Sequence, residues 1–477
     1  MGEGYVNTTI ANRIVIEDPS EEIVEWAKSK LRFPNPEYEK KQRMGFWVGR
    51  TPKEIRMYEW NGNKLILPFG VCREIMPMLR GTPVYTDFRQ NSVIDYGGGD
   101  MGLYEYQKEA VRQMAIAKYG ILKAGCGSGK TQCGIALIKF HRRRALWLCN
   151  KHDLIKQSME RAERYIDPSL FGTITEGKIN VGIGITFATV QTMSKLDLTQ
   201  FRDYWDVIII DECHSVCASA SSVTMYEKVL NHLAARHRYG LTATPHRSDG
   251  LIKATFAIIG KVVYEIPKEA TADRTTAVKI KVIETNTEIT DECLGTDGMI
   301  EYAKLLNHIV TDEERNKMIV QKIIEEKEHS CIILSDRLNQ LETIRSMLPY
   351  EMQEQSAYIN GKMTSKAAKK ERCQALEDMR TGRKKTLFAS YSLCKEGLDI
   401  PCLDRLFMAS PVKDDAVVEQ SVGRIRRTDE SKTDVPIVYD FKDVKIGMCV
   451  GWYKIRRRKY RELDAEIMES EHKGREI

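Results

Sequence analysis

Two kinds of apolar pattern alternate along this chain. Short runs with almost no polar interruption occur at Tyr119-Gly120-Ile121-Leu122-Lys123, Ala145-Leu146-Trp147-Leu148-Cys149, Ile185 to Val190, Val207-Ile208-Ile209-Ile210 and Tyr239 to Pro245. Runs of this length bounded by polar turns predict strands covered on both faces, as in a parallel sheet. Helical patterns separate them, at Tyr104 to Gln107, Gln132 to Phe140 and Lys151 to Tyr165. A second series begins near residue 300, with strands expected at Ser330 to Ser335, Lys385 to Ser390, Arg405 to Ala409 and Val435 to Asp440. Strand alternating with helix in this way predicts an α/β protein with two doubly wound parallel sheets.

The flanking segments differ. Residues 1–95 predict a small α/β accessory domain of their own. Its strand is Arg13 to Glu17, followed by a helix from Glu21 to Leu31 behind Asp18-Pro19-Ser20, and then a hairpin, Met57 to Trp60 and Asn63 to Pro68, turning at Asn61-Gly62. Gly97-Gly98-Gly99 reads as a flexible joint. The expected organisation is thus 1–95 accessory domain, 100–265 first sheet domain, 266–299 polar connector with at most a strand pair, 300–445 second sheet domain and 446–477 basic C-terminal helix.

Composition narrows the class. At 477 residues, 42% hydrophobic and 29% charged, the chain has the make-up of an ordinary globular protein with several cores. No apolar run reaches bilayer length and Met1-Gly2-Glu3-Gly4 begins no signal peptide, so a cytoplasmic protein without a membrane partner is expected. The twelve cysteines include no Cys-x-x-Cys pair; Cys133, Cys149 and Cys331 fall in apolar runs and read as core thiols. Net charge is only +6, which permits nucleic acid without arguing for it. Its distribution says more: Arg142-Arg143-Arg144, Arg424 to Arg427, and a stripe from Lys454 to Arg461 beside Trp452 and Tyr453 are compact basic clusters. Lys40, Lys41, Arg43, Trp47, Arg50, Lys53 and Arg56 mix basic and aromatic residues, which fits a nucleic-acid surface or, equally, a solvated face.

The candidate chemistry sits at strand ends. Ala124-Gly125-Cys126-Gly127-Ser128-Gly129-Lys130-Thr131 follows a strand and opens a helix, the context of a phosphate-cradling loop. Lys130 would meet the outer phosphates and Thr131 a magnesium ion. Asp211 and Glu212 end the most apolar strand, where open α/β sheets place ligands; Asp211 is the candidate metal carboxylate and Glu212 the candidate base for an attacking water. Gln420, Arg424 and Arg427 share one helical face at i, i+4 and i+7, suited to transition-state charge, although a solvated basic face has the same spacing.

In order, these motifs resemble those of the DExH-type superfamily 2 helicases over residues 103–441. Thr189-Val190-Gln191-Thr192, Asp211 to His214, Leu241 to Pro245, Ile332 to Arg337, Lys395-Glu396-Gly397-Leu398-Asp399-Ile400-Pro401 and Gln420 to Arg427 match successive family motifs. Lys395 to Pro401, Gln420 to Arg427 and Arg247-Ser248-Asp249 are most similar to the XPB-like and phage UvsW-like branch, with Ser248 departing from that branch's Arg-Glu-Asp loop.

The resemblance implies two RecA-like domains with ATP and Mg2+ between them. Gln107 would read adenine, with Gly397 and Asp399 completing the nucleotide site and His214 pairing with Gln420. Thr189, Thr192, Arg247, Arg337 and Ser390 would grip the nucleic-acid backbone. It also implies a monomeric DNA helicase or translocase for single-stranded, forked or branched DNA in repair, recombination or replication, in a bacterial or phage-infected cytoplasm. A duplex translocase without strand separation and an RNA helicase are the alternatives.

Overall fold

The computed structural model describes residues 8–469, except 80–82, 86–92, 126, 218–219, 244–250, 268, 271–275, 296–297, 362, 364–365, 396–397 and 399. The chain divides into two compact units, Met1–Ala270 and Thr271–Ile477. No helix among the described residues is long and apolar enough to cross a membrane.

The first unit is built on an eight-stranded sheet in the order Lys178–Asn180, Phe171–Thr175, Ile185–Thr189, Ala145–Cys149, Val207–Ile210, His237–Thr242, Tyr119–Lys123, Val262–Glu265. Every neighbouring pair is parallel except the first. The continuous apolar runs are explained by burial on both faces. Ile208 and Ile210 enter one core, while Val207 and Ile209 enter the other with Trp147 and the helices Glu105–Ala117 and Lys130–His141.

The N-terminal segment forms a five-stranded sheet in the order Glu59–Asn61, Lys64–Pro68, Arg13–Glu17, Thr8–Ile10, Val84–Tyr85. Alternation in Arg13–Glu17 buries Ile14 and Ile16. The expectation of an independent domain needs correction, because Ile14, Leu65 and Phe69 share one apolar cluster with Ile208, Ala254 and Ile258 of the first parallel sheet and its helix. Gly70 shows how close the approach is: a Cβ there would lie 2.5 Å from the Ala257 carbonyl oxygen and 2.6 Å from the Gly260 nitrogen.

Arg238, fully buried on a central strand, donates to the carbonyls of Asn12 (3.1 Å) and Leu233 (2.6 Å) and lies 4.6 Å from the Phe69 ring centroid. Burial alone depresses its pKa to about 9. The connecting segment is also tied down before its glycines: Ile94 and Tyr96 are buried, and the Tyr96 hydroxyl donates to the Arg143 carbonyl at 2.8 Å.

The second unit carries a seven-stranded sheet, parallel throughout, in the order Ser356–Ile359, Thr386–Ser390, Cys331–Ser335, Arg405–Met408, Ile437–Asp443, Lys279–Thr285, Glu466–Glu469. Two expectations change here. The segment 266–299, read as a connector, supplies the strand Lys279–Thr285, which pairs with Ile437–Asp443 along its whole length. The C-terminal segment is the helix Gly447–Glu462 followed by an edge strand, and its basic stripe does not face solvent throughout. Trp452, Tyr453 and Arg456 are buried, and Arg456 makes two bonds to Asp440 (2.8 and 2.7 Å) and one to the Val412 carbonyl (2.8 Å). The helix therefore packs on the sheet, and Arg456 and Trp452 present nothing to an external phosphate or base.

Candidate active site

The strand Tyr119–Lys123 ends beside His237–Thr242, and the register continues one residue further through a bond from the Ala124 N–H to the Thr242 carbonyl (2.9 Å). The loop then curls. Gly127 and Gly129 adopt φ of +83° and +80°, and a Cβ on Gly129 would fall 2.1 Å from Gln107 Nε2, so glycine is required there by both conformation and space. Ala124, where the strict loop pattern has glycine, is not among the positive-φ residues, so a methyl group costs nothing at that position. The Ser128 hydroxyl closes the loop on the Gly125 carbonyl at 2.7 Å. Cys126 lies outside the described residues.

Gln107, 1% exposed, accepts from the Tyr104 N–H (3.0 Å) and donates to the Ser128 carbonyl (3.0 Å) and to Gln132 Oε1 (3.2 Å). It thus ties the helix Glu105–Ala117 to the loop.

Lys130 and Thr131 begin the helix Lys130–His141, whose N-terminal N–H groups and dipole favour an anion. The Lys130 ammonium contacts the Ala124 carbonyl (3.3 Å) and stands 3.9 Å from Glu212 Oε1. Asp211 follows Val207–Ile210, two strands from the loop strand, and is 6% exposed. Its carboxylate accepts from the Glu212 N–H (3.0 Å) and, at 3.4 Å, from the Ser158 hydroxyl. Burial, then the neighbouring Glu212, push its pKa above the usual carboxylate range.

Glu212 has φ of +45°, the left-handed region that costs a side-chain-bearing residue energy and is often retained at functional sites. His214 Nδ1 lies 3.3 Å from Glu212 Oε2 and 3.2 Å from the Thr242 hydroxyl. Cys213 is fully buried against Gly240, a core role rather than a metal one.

The donors suit magnesium. Among the described residues no group of three or more His, Cys, Asp or Glu could hold a metal by itself. A hydroxyl on Thr131 and an under-bonded buried carboxylate on Asp211 are hard oxygen donors, apt for an ion that keeps most of its waters.

The structure adds residues that sequence reading passed over. Arg161 donates to the Thr131 hydroxyl at 2.9 Å, and Ser158, three residues earlier on the same helix, reaches Asp211. Their spacing places them on one face, but only the sheet order says which face meets the loop. Gln132 is likewise drawn in through helix placement, and Thr242, within the matched stretch Leu241 to Pro245, meets His214 through its strand.

Elsewhere in the first unit, Thr189 bonds Thr192 hydroxyl to hydroxyl at 2.9 Å at the end of Ile185–Thr189. Arg247 lies outside the described residues. In the second unit, Arg337 follows Cys331–Ser335 and donates to Asn307 Oδ1 (2.7 Å), and Ser390 ends the adjacent strand, bonded to Ser392 at 2.9 Å. The described backbone-grip candidates thus stand at and just beyond the C-terminal end of one strand in the first unit, and of two neighbouring strands in the second. Gln420 is buried on the helix Asp415–Ile425, and its Oε1 has no hydrogen-bond partner among the described residues. Arg424 donates to the Cys394 (3.2 Å) and Leu398 (2.8 Å) carbonyls, holding the loop to which Gly397 and Asp399, both outside the described residues, belong. Arg427 lies just beyond that helix, half-buried.

Two family models match the chain: the res subunit of type III restriction enzymes over residues 100–247 and the helicase conserved C-terminal domain over residues 314–429. A putative ATP-dependent RNA helicase of Acanthamoeba polyphaga mimivirus is 26% identical over 68% of this chain, and the match spans 60% of that relative's length. A probable helicase of Escherichia phage T5 is 24% identical over 67% of each chain. A DNA 3'-5' translocase, XPB2 of Sulfurisphaera tokodaii, is 26% identical over 63% of this chain and 72% of its own.

Among solved structures, S. cerevisiae Dbp5 bound to RNA and ADP BeF3 superposes with a TM-score of 0.53 at 13% identity, covering 78% of this chain and 95% of that one. The type ISP restriction-modification enzyme LlaBIII bound to DNA gives 0.55 at 16%, covering 87% and 34%. These likenesses speak to the fold, two RecA-like domains. With its phosphate-loop half and its helicase C-terminal half each matched in the expected order, the chain belongs to superfamily 2 of the helicases.

Proposed function

We propose that this protein hydrolyses ATP at the Lys130, Thr131, Asp211 and Glu212 site and couples hydrolysis to translocation on, and unwinding or remodelling of, duplex or branched DNA. The observation that carries the reading is that Lys130, at the start of the helix after the loop, stands 3.9 Å from Glu212 at the end of Val207–Ile210, with Glu212 held in a left-handed conformation beside His214.

In this reading the loop N–H groups and Lys130 bind and orient the polyphosphate, and Glu212 takes the proton of the attacking water. Magnesium, held by Thr131 and Asp211, would supply positive charge to the phosphate oxygens. Arg424 and Arg427 are assigned to charge developing in the transition state. Hydrolysis is reported through His214, whose ring touches both Glu212 and Thr242, the latter within the family stretch Leu241 to Pro245. Thr189, Thr192, Arg337 and Ser390 hold the backbone irrespective of sequence. The Sulfurisphaera tokodaii relative is named for DNA and the mimivirus relative for RNA, so the choice of DNA is put to the test below.

The test is ATP hydrolysis by the full chain with single-stranded, duplex and forked DNA and with RNA as separate stimulants. DNA-stimulated turnover that Lys130→Ala abolishes is expected, with Arg427→Ala lowering turnover far more than ATP affinity. Stimulation by RNA alone would replace the substrate, and stimulated turnover near wild type in Lys130→Ala would defeat the site.

A further inference from the structure

The N-terminal segment carries a surface that the motor reading leaves unexplained. Apart from its five-stranded sheet, Arg32–Pro34 and Glu54–Arg56 pair as an antiparallel two-stranded ribbon. Between them the helix Pro36–Arg43 runs into the loop 44–53, which folds back on it. Asn35, fully buried, fastens both ends: its N–H donates to the Lys53 carbonyl (3.0 Å) and its side chain to the Pro52 carbonyl (2.9 Å). Inside the loop, the Phe46 N–H bonds the Lys41 carbonyl (2.9 Å), the Thr51 N–H bonds the Val48 carbonyl (3.0 Å) and Lys41 Nζ reaches the Thr51 hydroxyl (2.8 Å).

This pinned loop holds its large apolar groups outward. Phe46 is 64% exposed and Trp47 87%, the latter with its ring over the Gly49 backbone. Adjacent aromatic exposure on a well-bonded loop is the signature of a contact surface.

Charge identifies the partner. From Lys40 to Lys53 there are five basic residues and no acidic one. Lys41 is paired with Glu37 (3.0 Å), but the exposed side chains of Lys40, Arg43, Arg50 and Lys53 make no ion pair or hydrogen bond among the described residues. Other surface cations of this unit do pair, as in Lys28 with Glu25 and Arg112 with Glu109. Uncompensated cations around two exposed ring faces match a ligand that offers phosphate charge and an unpaired π face together.

We infer that the Phe46–Trp47 loop is a stacking platform for an exposed base of nucleic acid, at a fork, junction or frayed end, with Lys40, Arg43, Arg50 and Lys53 on the flanking phosphates. This rests on the motor reading for its context and extends it by giving the N-terminal segment a ligand. Because Leu31, Phe33, Met57 and Tyr58 at the base of the ribbon share a core with the first parallel sheet, a base seated here is held by the motor unit itself.

The full chain carrying Lys130→Ala, which removes turnover from the measurement, is titrated with forked DNA, with blunt duplex of equal length and with anionic phosphatidylserine vesicles over a range of salt. Phe46→Ala with Trp47→Ala should weaken fork binding about tenfold while leaving its salt slope unchanged, since a stacked base contributes through its face. Blunt duplex binding should fall much less. Arg43→Gln with Arg50→Gln should instead weaken both DNAs and lower the slope of log affinity against log salt by about two. Trp47→Phe, which keeps a ring, should restore most of the fork affinity, and all variants should melt with wild type because the altered groups are exposed.

Fork binding within twofold of wild type in the double alanine variant overturns the inference. So does an effect confined to vesicles, or equal loss on fork and blunt duplex. DNA-stimulated ATP hydrolysis of the unaltered chain is scored separately. If it is present while the alanine variant binds normally, only the platform fails; if it is absent, the motor reading fails and the binding comparison still decides the platform.

Discussion

The two parallel sheets each carry a buried charged site, and the two sites are answered in different ways. In the second unit, Arg456 and Asp440 are almost completely buried and answer one another, with Tyr460 (2.8 Å) and the Val412 carbonyl using the remaining positions. Arg405 is similarly enclosed, bonded to Glu326 at 2.6 Å. In the first unit, Asp211 is also buried, but among the described residues it holds only a neighbouring N–H and one long hydroxyl contact, with Glu212 adjacent and Lys130 3.9 Å from that residue. At Arg456 the charge is answered within the fold, whereas at Asp211 it is left under-bonded, which raises the energy of the free protein.

Exchanging charges in the two places should therefore give opposite phenotypes. Glu212→Gln is expected to lower DNA-stimulated turnover by roughly 10²–10⁴-fold by removing the base, while leaving or slightly raising the melting temperature, since it relieves repulsion with Asp211. Stopped turnover with lost stability would erase the distinction. Arg456→Met should do the reverse to the second unit, destabilising it by about 3–5 kcal/mol because Asp440 is left buried and unpaired. Adding Asp440→Asn to that variant should recover part of the loss in denaturant melts, and no recovery would mean that Arg456 acts by packing alone.

A smaller effect is expected where the N-terminal sheet meets the motor. Gly70→Ala should destabilise the first unit by about 1–3 kcal/mol, since the added methyl would meet backbone rather than a movable side chain. A single cooperative transition lowered for both layers is the expected calorimetric trace; a separate N-terminal transition would show that the two layers do not share a core.

The mildest test is pH. His141 is held neutral, its pKa pushed down to about 4 by burial and then by Arg236, with its Nε2 2.9 Å from the Tyr239 hydroxyl. The unfolded chain takes up this proton first, so the stabilisation is complete above about pH 6.5 and is lost as pH falls towards 4. His141→Gln should flatten that part of the melting profile.

Much of this was legible in the chain. Val207–Ile210 and Ala145–Cys149 announce a parallel sheet because both faces are buried, and the glycines of the phosphate loop announce their own geometry. What was not legible depended on partners distant in sequence. Lys279–Thr285 alternates charged and apolar residues, so it looked like a connector until paired with a strand from the far end of the unit. The Lys454–Arg461 stripe looked like a phosphate-seeking face because nothing in its spacing reveals that Asp440 awaits Arg456 beneath the helix. Ser158 and Arg161 entered the site only through the order of strands.

That late pairing of Lys279–Thr285 has a consequence for biosynthesis. The strand leaves the ribosome early, whereas its neighbours Ile437–Asp443 and Glu466–Glu469 follow roughly 150 residues or more later, some 8–30 s at about 5–20 residues per second. Throughout that interval both of its edges lack their native partners. Lys279, Lys281 and Glu284 along the strand then act before the fold exists, as charges that discourage pairing between nascent copies. The polarity that obscured this strand in the sequence protects the second sheet while it is still incomplete.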